Sequence, residues 1–201
     1  MALVGYRNLA WLKSRLLPAD MGDESDYDAD ISNIGLAVAA HFDRYTGREL
    51  VRAVDESFVC SAGVPSLVVS RYPIEEVTRA DLLSGGTTTD ITGSILNTLE
   101  KAGVIDFGGT IGSVHDKLVI GITGGFWCDD DDEKPTGATA LPAEILNAWV
   151  QQCRAVCEAE NIFRAKGAER PDKKTAGPVS LENLTLLPGV KSILQLHMRF
   201  G

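Results

Sequence analysis

Lys117-Leu118-Val119-Ile120-Gly121-Ile122-Thr123 is a short apolar run rich in β-branched residues, and it reads as a buried strand. Gly124-Gly125-Phe126-Trp127 breaks the run. An acidic loop follows, Asp129 to Glu133, and then Pro135 and Gly137. Leu141-Pro142-Ala143-Glu144 opens a helix, because proline suits a first helical turn. Ile145, Trp149, Cys153, Val156 and Phe163 recur at helical steps, which predicts one apolar stripe of about six turns over Pro142–Lys166. Gly167 is its natural stop. The remaining segments are expected to pack around this strand, turn, loop and helix.

Working back towards the N-terminus, residues 6–17 form a first helix, with Leu9, Leu12 and Leu16 on one face and Pro18 ending it. Asp20 to Asp26 reads as an acidic linker. Ser25 is placed to cap a second helix, with Asp28 three positions on in a capping-box arrangement. Tyr27, Ile31, Ile34, Val38, Phe42 and Tyr45 make a regular stripe, and Gly35, Ala37, Ala39 and Ala40 keep other faces small enough for close helix approach. Gly47 closes the helix. The stripes predict that Pro142–Lys166 packs on Ser25–Thr46, with Trp149 and Phe42 in the core.

From Arg52 the period changes. Ser57–Cys60, Ser66–Arg71 and Ile74–Thr78 are short β-type runs punctuated by Gly63, Pro65 and Pro73, and Ser84-Gly85-Gly86 is a turn. Residues 90–102 admit two readings. Ile91, Ile95, Leu99 and Ala102 fit a helix. Thr92, Gly93 and Thr98 are poor helix formers, and Gly103 to Phe107 fits the return strand of a hairpin. The hairpin is the reading adopted. After the long helix, Ala168 to Pro178 is a polar connector. Pro188-Gly189 then starts a last helical element carrying Val190, Ile193, Leu194 and His197 on one face.

The chain of 201 residues has 44% hydrophobic residues, enough for a core, and no apolar run approaches the roughly 20 residues of a membrane span. Met1 to Leu12 lacks the charged and apolar regions of a signal peptide, so none is expected. Cys60, Cys128, Cys153 and Cys157 have no framework spacing, which is the pattern of reduced thiols in a cytoplasmic protein. A net charge of −9 disfavours sequence-reading DNA binding, which normally needs a basic face.

Three features invite a chemical reading, and each has a plainer one. Cys153 and Cys157 lie one helical turn apart, and Cys128 and His115 could complete a metal site. Yet Cys153 sits in the apolar stripe, there is no CxxC pair, and buried cysteine packs as a small hydrophobe. Asp129, Asp130, Asp131, Asp132 and Glu133 neither alternate nor carry the glycine of a calcium loop, so they read as a solvated acidic loop. The glycines at 108–112 and 124–125 match neither GxxxxGK[ST] nor GxGxxG. With no GxSxG elbow either, the residues describe a non-enzymatic α+β protein that works through its surfaces.

The order of parts resembles a known family. It runs through Trp11-Leu12-Lys13, the alanine-rich helix ending Thr46-Gly47-Arg48-Glu49-Leu50, Tyr72-Pro73-Ile74-Glu75-Glu76-Val77 and Gly103-Val104-Ile105. It continues with Ile120 to Phe126 and Leu141-Pro142-Ala143-Glu144-Ile145, and ends in Leu187-Pro188-Gly189-Val190 and Arg199-Phe200. This order is similar to the head–tail connector (adaptor) family of tailed bacteriophages and gene transfer agents, nearly end to end. The resemblance implies a helical-bundle core of long antiparallel helices with an inserted antiparallel β region. It implies one connector domain over 1–201: N-terminal helices 1–50, β insertion 52–124, core helix 141–167 and docking segment 179–201. It implies a homo-oligomeric ring, usually dodecameric, beneath the portal of the head, made in the host bacterial cytoplasm and found at the head–tail junction of the virion. Such a ring extends the channel for double-stranded DNA, binds no particular sequence or membrane, and offers a platform to a stopper or tail-completion protein. No catalytic residue, cofactor or metal comes with it.

On this reading Val190, Ile193, Leu194, Leu196, Met198, Arg199 and Phe200 are the expected portal-docking residues, with Leu187–Gly201 standing apart from the subunit's own core. Folding back onto that core is the alternative. Asp129 to Glu133, or Asp20 to Asp28, are expected to face the channel and keep it from gripping DNA. Another tail-completion protein, and a small metal-dependent enzyme using Cys128, Cys153, Cys157 and the acidic loop, are the competing functions.

Overall fold

The computed structural model describes residues 3–17, 25–128, 133–160, 162 and 184–198. The chain divides into two compact units. One is drawn from residues up to Thr46 and from Leu141 onward, the other from Gly47–Cys128 and Lys134–Ala140.

The helical unit contains α1 (Leu9–Leu16), α2 (Asp28–Thr46), α3 (Ala143–Ala159) and α4 (Pro188–Gln195). Asn8 caps α1 by accepting from the Trp11 amide at 2.8 Å, one of the otherwise unpaired donors of a helix start. Before α2, Ser25–Tyr27 forms a 3-10 turn, and Asp28 turns its carboxylate to Lys13 Nζ at 2.6 Å instead of reaching back to Ser25. The expected stripe on α2 points inward: Ile31, Ile34, Val38 and Phe42 are fully buried, and Tyr45 is half-buried. α3 packs on α2, and its Ile145, Trp149 and Cys153 are fully buried in the same unit. The Trp149 indole N–H donates to the Gly35 carbonyl at 3.0 Å, and its ring lies 5.5 Å from that of Tyr6. Gly35 is small for a steric reason. A Cβ there would stand 2.3 Å from the Val4 carbonyl oxygen and 3.3 Å from the Trp149 ring. α3 ends at Ala159 with Glu160 as its C-cap, so it is shorter than the helix expected to run to Lys166 and stop at Gly167; Phe163, Lys166, Gly167 and the connector Ala168–Pro178 lie outside the described residues.

The β unit contains β1 (Ala53–Ser61), β2 (Val64–Val68), β3 (Ile74–Ser84), β4 (Thr87–Asp90), β5 (Asn97–Leu99), β6 (Val104–Ile111), β7 (Lys117–Gly124), β8 (Phe126–Trp127) and β9 (Thr139–Ala140). An antiparallel sheet runs β1-β7-β3-β4, a second runs β2-β6-β5, and β8 and β9 form a parallel pair. The strand predicted from Lys117 is β7. It is paired on both sides, and Leu118, Ile120 and Ile122 are buried, which explains its near-continuous apolar run. They join Val69, Ile74, Ile105 and Phe107 in one apolar core built from both larger sheets. Gly85 and Gly86 both have positive φ (55° and 84°), the pair a two-residue hairpin turn requires between β3 and β4. Within 90–102, Thr92–Ser94 is a 3-10 turn, and β5 pairs with β6 around the 3-10 turn Glu100–Ala102, the hairpin form of the two readings.

The architecture corrects one expectation. The protein is α+β, but it is not a bundle of long antiparallel helices with a β insert. Among the described residues there are four helices, two of them eight residues long, against nine strands. The reason is where the apolar residues go. β1 and the first half of β6 alternate more and less buried positions, β7 is buried almost throughout, and their apolar residues pack against one another. That gives the β region a core of its own, so it is not an elaboration hung on a helical one.

Candidate interaction surfaces

The C-terminal segment is held in place by a buried glutamine. Gln152 of α3 accepts from the Leu187 amide at 2.9 Å and donates to the Thr185 carbonyl at 3.3 Å. These bonds satisfy the backbone where chain approaches α3, which is what a buried polar side chain must do to be tolerated. From that anchor, Pro188 starts α4 and sends Val190 and Leu194 into the core of the helical unit, where both are fully buried beside Leu186. The expectation that Leu187–Gly201 stands apart from its own core therefore does not hold for these two residues. Pro188 to Gln195 is too short to be helical in water without such burial.

The same segment has an outward side. Ile193 is half-buried, Leu196 is 77% exposed and Met198 is 37% exposed. Arg199 and Phe200 lie outside the described residues. His197 sits 3.4 Å from Glu144 at the start of α3. Lys191 is exposed on α4, and its charge reaches His41 on α2. Partial burial, Arg44 and Lys191 together hold the His41 imidazole below its usual pKa.

The acidic candidates are only partly visible. Asp129, Asp130, Asp131 and Asp132, like Asp20, lie outside the described residues, while Glu133 and Asp26 are exposed.

The cysteines behave as packing. Cys153 and Cys157 are fully buried on the inner side of α3. Burial pushes the Cys157 thiol up to about 12, and burial with the neighbouring Cys157 pushes Cys153 higher still. Neither is a thiolate near neutrality, the form that binds metal. Cys128 is buried in the β unit and donates its S–H to the Phe126 carbonyl at 3.3 Å, while His115 is exposed in the turn before β7. Among the described residues no group of three His, Cys, Asp or Glu side chains is placed to hold a metal ion.

Reading the sequence missed an arginine clamp at the start of the β unit. The Arg48 guanidinium stacks on the Tyr72 ring at 3.5 Å and donates to the Tyr72 carbonyl. Arg52 makes two 2.8 Å bonds to the Glu75 carboxylate, a planar fork on a planar acceptor. Arg71 joins Glu49, Glu56 and the Val51 carbonyl. Two stretches that carried the family resemblance, one around Arg48-Glu49-Leu50 and one around Tyr72 to Val77, are thus in contact. Paired arginines and glutamates at these positions were the available signal.

No protein-family model and no curated protein sequence matches the chain. Chains of solved structures do. A chain in the neck of an empty GTA particle, computed with C6 symmetry, matches with a TM-score of 0.64 at 18% identity, over 100% of this chain and 94% of that one. A chain in the virion of the native gene transfer agent (GTA) particle matches with a TM-score of 0.61 at 15% identity, over 96% of this chain and 89% of that one. No helix among the described residues is long and apolar enough to cross a membrane. The chain shares, over almost its whole length, the fold of chains found in gene transfer agent particles.

Proposed function

We propose that this protein is a structural subunit of the neck of a tailed phage or gene transfer agent particle, an adaptor between the head portal and the tail. The observation that carries the reading is the two-way, near-complete coverage by a chain from a GTA neck. A shared fold does not by itself assign a function, so the surfaces matter. Leu196 and Met198, exposed beside a firmly anchored α4, offer apolar side chains for a protein partner. In this reading they dock on the portal together with Ile193, Arg199 and Phe200, while Val190 and Leu194 hold the docking element to its own subunit. Copies associate in a ring around the DNA channel. The net charge of −9 lets DNA pass without being gripped, with Asp129 to Glu133 as the lumen-facing candidates. The tail-side face receives a stopper or tail-completion protein.

Removing the gene from the producing cell tests this. The expected result is heads filled with DNA and no attached tails, seen by electron microscopy and restored by the wild-type gene. Normal tailed particles in its absence would overturn the reading.

A further inference from the structure

We propose that copies of this chain join through the two edges of its larger sheet, β1 of one copy pairing antiparallel with β4 of the next. This rests on the ring reading above for its biological setting. The surface itself is read from strand directions and hydrogen-bond phase.

The order β1-β7-β3-β4 is antiparallel at every step, and it has an even number of strands. Its two edge strands therefore run in opposite directions. A second copy placed with its β4 against β1 continues the alternation without turning over. That is a head-to-tail contact, the kind that closes into rings.

The phase of the bonds agrees. The Ala62 amide donates to the Asp116 carbonyl, and β1 continues in register as Cys60↔Leu118 and Phe58↔Ile120. Even-numbered residues thus bond to β7, and Ser57, Val59 and Ser61 direct their backbone N–H and C=O groups to the free side. On β4 the Ile91 amide donates to the Ala80 carbonyl, with Leu82↔Thr89 in register, so Thr88 and Asp90 direct theirs outward. Among the described residues no backbone hydrogen bond from another element reaches these groups.

The side chains also fit. Val59 is 61% exposed on β1, an apolar group on an open edge that natural sheets usually cover or charge. Thr87, Thr88 and Thr89 are exposed and uncharged, and β-branched residues suit a strand. A β1–β1 joint would be two-fold symmetric and stop at a dimer, whereas β1 on β4 repeats from copy to copy. The Asp90 carboxylate is turned to its own chain, accepting from the Thr92 amide at 2.8 Å.

The test uses the full chain and sedimentation velocity over a concentration series. Val59→Pro and Thr88→Pro each delete an outward donor and leave the inward ladder intact, and circular dichroism checks folding. Val59→Lys and Thr88→Lys repeat the test without proline. The wild type is expected to form species larger than a dimer, and each variant to sediment as a monomer. An equimolar mixture of Val59→Pro and Thr88→Pro is expected to stop at a heterodimer, because each retains the edge the other lacks. Variants that assemble like the wild type, or a wild type that stays monomeric at its highest soluble concentration, would overturn the edge pairing. The neck reading is judged separately, by the tailless heads of the gene deletion.

Discussion

The two units solve the problem of burying apolar surface in different ways. The helical unit depends on a few close fits: one large side chain, Trp149, lies against a helix kept narrow by Gly35, and its N–H is satisfied by that helix's backbone. The β unit spreads its burial over many medium-sized residues on facing strands, with Ile105, Leu118 and Ile120 all fully covered. The first kind of core concentrates energy at a few positions; the second distributes it.

That contrast can be broken by mutation. Trp149→Ala is expected to cost about 3–5 kcal/mol, the range for truncating a core aromatic. Urea denaturation gives the cost. Thiol labelling localises it, since Cys153 and Cys157 should become reactive in the variant well before they do in the wild type. A loss below about 1 kcal/mol would mean the helical core does not turn on this residue.

Ile120→Ala probes the distributed core and is expected to cost about 2–4 kcal/mol by the same measurement. A larger cost for Ile120→Ala than for Trp149→Ala would reverse the contrast between the two units.

Gly35→Ala should cost about 1–3 kcal/mol through overpacking, because the added methyl meets a backbone oxygen that cannot swing aside. Gly85→Ala sharpens the point. Its site is open, so only the positive φ is penalised, and about 1 kcal/mol is expected. A Gly35→Ala protein as stable as the wild type would show that Val4 and the Trp149 ring are not held tightly against Gly35.

The smallest effect is electrostatic. The folded His41 has its pKa lowered, first by burial and then by Arg44 and Lys191. The fold therefore favours the neutral imidazole. Its contribution is fully present above the unfolded value near 6.5 and is lost as pH falls below that value towards the folded one. His41→Asn should flatten the part of the stability profile just below pH 6.5, and an unchanged profile would remove His41 from the account.

The outward and inward sides of the C-terminal segment were not separable by periodicity. Val190, Ile193 and Leu194 all fall on one helical face in the sequence, and Leu196 and Met198 differ little from them in chemistry. Burial distinguishes them because the Gln152 anchor sets which side of α4 meets α3. A lone glutamine on an apolar stripe was the trace of that anchor, and its meaning depends on Thr185 and Leu187, more than thirty residues away.

What the sequence determined by itself was local. Period and punctuation placed β7 at Lys117, the start of α3 at Pro142, the stripe of α2 and the Gly85-Gly86 turn, because each depends on neighbours within a few residues. What only the tertiary structure decided was partnership. Strand order, the independence of the β core, the arginine clamp and the position of β1 and β4 at the edges of the larger sheet among the described residues all depend on residues distant in the chain, whose meeting is chosen by the total burial and hydrogen bonding of the fold. A period of two says that a strand has two faces, and it is silent on which strand lies beside it.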